Sequence, residues 1–156
     1  MSITRLNNNS ITSVTALPSG IDTGKVLQVV SNTKTSVFST NANTLVDTGF
    51  DIVITPSSTS SKVWVQYTVP VYQASANLDF RLAIYRNDTA NLHDSSLNHF
   101  IRGNVSDTYY ATTLSAYDSP SSTSAVTYTL YGRSQGTGQF PAGNAFATVI
   151  AYEIAG

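Results

Sequence analysis

From Lys62 to Tyr72 the side chains alternate without a break: Val63, Val65, Tyr67, Val69 and Val71 fall on one face, and Trp64, Gln66, Thr68 and Tyr72 on the other. A period of two belongs to an extended strand with one face turned to a core. The β-branched and aromatic content of the run argues against a helix of the same length. Pro70 has no N–H to give to a ladder, so the strand is expected to bend there or to run along an edge.

The rest of the chain repeats this theme in shorter units separated by turn chemistry. Val26 to Val30 is one apolar run. Phe50 to Thr55 is another, closed by Pro56 and the polar turn Ser57 to Ser61. Phe80, Leu82 and Ile84 alternate with Arg81, Ala83 and Tyr85 before a hairpin turn at Asn87-Asp88. Thr108 to Ala116, Ala125 to Tyr131 and Ala145 to Ile154 supply the last strands, joined by Ser119 to Ser122 and by Gly136 to Asn144. Ala90 to Asp107 is the least regular segment, a long loop with one short strand around Phe100-Ile101. No stretch offers an amphipathic helix. Short strands punctuated in this way predict an all-β, antiparallel β-sandwich.

Residues 1–24 do not share the pattern. Ile3, Leu6, Ile11, Val14, Leu17 and Ile21 are thinly spaced among Asn, Ser and Thr, with Pro18, Gly20 and Gly24 closing the stretch. They fit neither period and are read as an extended N-terminal arm whose isolated apolar residues peg into another surface. The organisation expected is therefore an arm, 1–24, and one sandwich domain, 25–156.

Composition narrows the function. Charged residues make up 11% of the chain, against about 25% in ordinary globular proteins, and Ser, Thr and Asn take their place. A net charge of -1 with singly scattered basic residues gives no attraction to a phosphate backbone, so no nucleic-acid partner is expected. The absence of cysteine removes disulfides, thiolate metal sites and a cysteine nucleophile. The start Met1-Ser2-Ile3-Thr4-Arg5 has no leader pattern, and no apolar run reaches the roughly 20 residues that cross a bilayer, so no membrane association is expected.

Chemistry-bearing residues are sparse, and no enzyme, cofactor or metal is expected. His93, Asp94 and His99 match no metal-ligand spacing and are read as polar loop residues. Gly132-Arg133-Ser134-Gln135-Gly136 is not a nucleophile elbow but part of a glycine-rich connection, and Gly136-Thr137-Gly138 lacks the rest of a nucleotide fingerprint. Asp47, Asp51, Asp79 and Asp118 stand singly near turns, where capping is the ordinary role. Tyr109, Tyr110, Tyr117, Tyr128 and Tyr131 offer amphipathic surfaces suited to interfaces and sugar sites.

The last strand is apolar or small on both sides, with Phe146, Ile150, Tyr152 and Ile154 on one and Ala145, Ala147, Val149 and Ala151 on the other. A sheet with one wet face does not look like this. Either the strand lies in the middle of the sandwich covered by a loop, or its outer face meets a neighbouring subunit, and the expectation is a subunit interface formed by Ala147, Val149, Ala151 and Glu153 together with Trp64.

Gly24-Lys25-Val26-Leu27-Gln28-Val29-Val30, the turn from Ile54-Thr55-Pro56-Ser57 to Lys62-Val63, the stretch from Tyr117-Asp118-Ser119-Pro120 to Tyr128 and the closing Ala147 to Ile154 resemble a module of tailed-phage fibre and head-decoration proteins, frequent in cyanophages. The resemblance covers nearly everything after residue 24. It implies a jelly roll of the complement-head and tumour-necrosis-factor type, a homotrimer, and residence in the virion after assembly in the bacterial cytoplasm. The short arm at Met1 departs from long-fibre chains and favours a capsid decoration or cement protein whose partner is the major capsid protein. The alternatives are a receptor-binding fibre tip, with Ala90 to Asp107 and Gly132 to Gly143 touching a host surface glycan or receptor, and, last, a polysaccharide depolymerase.

Overall fold

The structure, a computed structural model, describes residues 24–77, 79–93, 99–143 and 145–156. Among them there is no helix. The strands are β1 (Val26–Lys34), β2 (Phe38–Thr40), β3 (Val46–Ile54), β4 (Lys62–Gln73), β5 (Asp79–Arg86), β6 (Ala90–Asn91), β7 (His99–Arg102), β8 (Thr108–Asp118), β9 (Val126–Ser134), β10 (Gly138–Phe140) and β11 (Ala147–Ile154). The six anchoring residues expected of the arm, Ile3, Leu6, Ile11, Val14, Leu17 and Ile21, lie outside the described residues.

Leaving aside the short β2, β6 and β10, one sheet runs β1-β11-β4-β8 and the other β3-β9-β5-β7, all antiparallel. First strand beside last, with the chain crossing between the two sheets at every step except β5 to β7, is the winding of a jelly roll. The sandwich expected from the alternation is therefore the fold. Its core is the face of β4 that the sequence marked: Val63, Val65, Tyr67, Val69 and Val71 pack with Phe50, Ile52 and Ile54, with Phe80, Leu82 and Ile84, and with Tyr128 and Leu130. Burying each aliphatic or Phe side chain of this set contributes about 1.5–3 kcal/mol. Tyr67 keeps its polar tip satisfied at the centre, its hydroxyl donating to the carbonyls of Tyr128 (2.7 Å) and Phe50 (3.1 Å).

Pro70 is not on an edge strand. β4 lies inside its sheet, flanked by β8 along its length and by β11 and then β10 on the other side. The proline sits in the gap between the last β11 pair, Thr68 with Thr148, and the β10 pair of Tyr72 with Gln139, where its missing N–H leaves no ladder acceptor unfilled. Its carbonyl in that gap accepts the N–H of Ala142 at 3.0 Å.

One long side of the sandwich is sealed by side chains. β3 carries a bulge between Asp47 and Asp51, where Gly49 takes φ +61, the left-handed region glycine enters without strain. From β1, Gln28 Nε2 donates to Thr55 O (2.7 Å), Asn32 Nδ2 to Asp51 O (2.8 Å) and Lys34 Nζ to Gly49 O (3.1 Å). Carbonyls of the β3 edge thus find partners across the gap between sheets, which blunts the edge against foreign strands.

The expectation for β11 requires correction. Ala147, Val149 and Ala151 are wholly buried and belong to the chain's own core, and Glu153 is 1% exposed. Side chains without surface in the single chain do not meet a second one. Both faces of the strand are apolar because one lines the core and the other, Ile150, Tyr152 and Ile154, turns outward. Asp118 also departs from a turn-capping role: buried, it accepts Arg86 Nη1 on Oδ1 (2.8 Å) and Oδ2 (3.0 Å) and the Tyr128 hydroxyl on Oδ2 (2.8 Å), tying β8 to the opposite sheet. Asp47 does cap, accepting the N–H of Gly49 at 2.7 Å.

Candidate functional site

The outward positions of the β1-β11-β4-β8 sheet form rows fixed by strand register. Val29, Tyr152, Trp64 and Tyr117 make one row across all four strands. Ser31, Ile150, Gln66 and Ser115 make the next, and Thr33, Thr148, Thr68 and Thr113 the one after. Beyond Pro70 and Ala111, the far end carries Ser39, Gln139, Tyr72 and Tyr109 on β2, β10, β4 and β8. One face thus has an apolar aromatic end, a belt of hydroxyls and amides, and a tyrosine end. Trp64 and Tyr72 are eight residues apart, about 26 Å along an extended strand.

The aromatic end is open to solvent. Val29 is 54%, Trp64 37% and Tyr117 63% exposed, with Val26 and Leu27 exposed beside them. Trp64 stacks on Tyr152 at 5.3 Å between centroids and 23° between planes. The single charge among the outward strand positions is Lys62, whose Nζ donates to Ser119 Oγ at 2.8 Å. An exposed aromatic cluster depleted of charge has the composition of an interface core. Of the residues expected to form an interface, Trp64 alone lies here. Val29 and Tyr152 escaped sequence reasoning because only register aligns them with Trp64 and Tyr117.

At the tyrosine end the turn after β4 is tied to both long loops. Ala74 N–H donates to Thr137 O (3.3 Å) and Asn77 N–H to Gly103 O (2.8 Å). The buried Gln73 amide grips Gly103 in both directions, accepting its N–H (3.2 Å) and donating to its carbonyl (3.1 Å). A side chain at Gly103 would collide with the Tyr110 hydroxyl and with Gln73 Oε1, which is why glycine stands there. On the surface, Tyr72 and Tyr109 pack at 5.0 Å and 42°, and the Tyr72 hydroxyl donates to Asp107 Oδ1 at 2.6 Å. That bond holds the Tyr72 phenol above its ordinary pKa.

The remaining candidates have structural roles. His93 Nδ1 accepts the backbone N–H of Ile84 (3.2 Å), and the backbone N–H of His93 donates to Asn91 Oδ1 (2.9 Å), so the imidazole ties the segment after β6 back to β5. Asp94 and the side chain of His99 lie outside the described residues. Ser134 is buried. Tyr128 is buried too, and burial together with its bond to Asp118 raises its pKa. Tyr131 stacks on Tyr85 at 4.1 Å on the opposite sheet. Among the described residues no group of three or more His, Asp or Glu is placed to hold a metal ion.

Glu153 is a hub near the aromatic end. Its Oε1 accepts Ser57 N–H (2.7 Å), Ser57 Oγ (2.6 Å) and Ser61 Oγ (2.7 Å), while Oε2 accepts Gln28 Nε2 (2.7 Å). Burial alone would push its pKa up, but these hydrogen bonds outweigh burial and hold it at about 2.

No protein-family model matches the chain, and no curated protein matches it. Among solved structures, the VP2 subviral particle of infectious bursal disease virus is similar with a TM-score of 0.45 and 11% identity, over 90% of this chain and 42% of that one. The structure of the Gx strain of the same virus gives 0.47 and 12%, over 82% of this chain and 38% of that one. The chain thus spans well under half of those chains, and no residue role is taken from them.

Proposed function

We propose that the chain is a non-enzymatic structural protein of a bacteriophage particle, a homotrimeric capsid decoration protein that binds and stabilises the shell. The observation that carries the reading is the uncovered row Val29, Tyr152, Trp64 and Tyr117, a charge-poor aromatic strip on the broad face of a jelly roll. Such a strip gains free energy when another protein removes it from water. The trimer contact is accordingly assigned to this outer face rather than to the inward residues of β11. The arm residues Ile3, Leu6, Ile11, Val14, Leu17 and Ile21 are proposed to lie along the major capsid protein and bridge capsomers. The sequence resemblance to phage head-decoration and fibre modules supports both parts.

Deleting residues 1–22 tests the arm: the shortened chain should remain a trimer by sedimentation and should no longer bind shells lacking the decoration protein. Undiminished binding rules out the arm's role. Replacing Trp64 and Tyr117 together by Ser tests the face, with dissociation to folded monomers expected and an unchanged trimer counting against it. The second reading, a receptor-binding fibre tip, is favoured by the tyrosine end, where the turn after β4 is tied to both long loops.

A further inference from the structure

The tyrosine end differs in kind from the aromatic end. Tyr109 is 63% exposed and stands against Tyr72. Gly143, at φ +58, lies beside the Tyr109 ring, where a β-carbon would come within 3.6 Å, so the absence of a side chain leaves that flank of the ring uncrowded. Asp107 spends Oδ1 on the Tyr72 hydroxyl and keeps Oδ2 for a further donor. Gln139 lies in the same row, its backbone paired with Tyr72 and Ser39, and brings an amide to the outward face. Beyond them along the sheet come Thr68, Thr113 and Thr148.

A ring face flanked by a carboxylate and an amide matches a pyranose, which offers C–H groups on one side and hydroxyls at its rim. Charge selects among sugars. Asp107 is the charged group in the cluster, and Lys62, the cation among the outward strand positions, is ten residues along β4 from Tyr72, about 33 Å away. A uronate or sialate would meet the Asp107 carboxylate, and among the described outward strand positions no cation lies at this end. We propose that the Tyr72–Tyr109 end binds a neutral hexose unit of a surface polysaccharide, with Tyr109 as the stacking platform and Asp107 and Gln139 as hydroxyl partners. The site is independent of the assembly face, so a particle protein of either location can carry it.

The test is saturation-transfer NMR and titration of the full chain with neutral gluco-, manno- and galacto-oligosaccharides and with an oligogalacturonate of equal length. The expected result is binding of at least one neutral oligosaccharide, with a Kd of about 0.1–5 mM, and none of the uronate. Tyr109→Ala should weaken that binding tenfold or more with an unchanged melting curve, because its side chain is on the surface; Asp107→Ala should weaken it at least threefold and melt lower, because the position has φ +52 and the bond to the Tyr72 hydroxyl is lost. Trp64→Ala, at the other end, should leave it as it is. Absence of transfer to every neutral oligosaccharide, wild-type binding by Tyr109→Ala, or equal binding of the uronate would each overturn the proposal.

Discussion

Replacing Glu153 by Gln removes one charge from a buried cluster while leaving its shape. The carboxylate accepts four hydrogen bonds, three on Oε1 and one on Oε2. In the variant the amide oxygen can keep the Ser57 and Ser61 donors, but the amide nitrogen then faces Gln28 Nε2, donor against donor. Gln28 cannot turn its amide over without losing its bond to Thr55 O (2.7 Å). The magnitude follows from linkage. A carboxyl held at about 2 against an ordinary 4.5 is worth about 3 kcal/mol at 1.36 kcal/mol per pH unit. Because the folded-state pKa is depressed, this stabilisation is fully present above about pH 4.5 and is lost as the pH falls toward 2. Urea denaturation at fixed protomer concentration should therefore show Glu153→Gln about 2–3 kcal/mol less stable than the parent at pH 7, with the difference narrowed to under about 1 kcal/mol at pH 2.5. A loss below about 0.5 kcal/mol at pH 7, or the same loss at both pH values, would refute the argument that charge-assisted bonds outweigh burial at this site.

Two further substitutions probe the core. Tyr67→Phe removes a hydroxyl that serves two buried carbonyls and should cost about 1–2 kcal/mol in the same assay without altering the strand signal in circular dichroism. Gly138→Ala places a β-carbon against the Phe80 ring and Ser134 Oγ; overpacking of this kind should cost about 1–3 kcal/mol, read as a lowered denaturation midpoint.

The sandwich was legible because its strongest signal, the alternation from Lys62 to Tyr72, belongs to a strand paired on both sides, and Val63, Val65, Tyr67, Val69 and Val71 on its one face are all buried. The short strand expected around Phe100-Ile101 is β7. The β11 face was misassigned because alternation says that two faces differ, not which one is inside. Ala147, Val149 and Ala151 look suited to a close subunit contact and equally to the space beneath β4. Only the second sheet distinguishes the two. Glu153 misled in the same way: expected at a subunit interface, it is bonded within the chain, and its donors Ser57 and Ser61 come from a turn far away in sequence. The aromatic row was invisible as a row, since Val29, Trp64, Tyr117 and Tyr152 lie on four strands and meet only through register. The tyrosine end was partly legible, in that the two long loops were singled out, but their ties to the end of β4 and the turn after it, Gly103 to Gln73 and Asn77 and Thr137 to Ala74, depend on tertiary hydrogen bonds without a local pattern.

The central claim, that this chain decorates a phage shell as a trimer, is tested most directly by cryo-electron microscopy of particles that contain it, with a small tag at Gly156 to mark its position. Trimeric density spread over the shell, with a thin arm running between capsomers, is the predicted result. Tagged density confined to the tail, or absent from the particle, would contradict it.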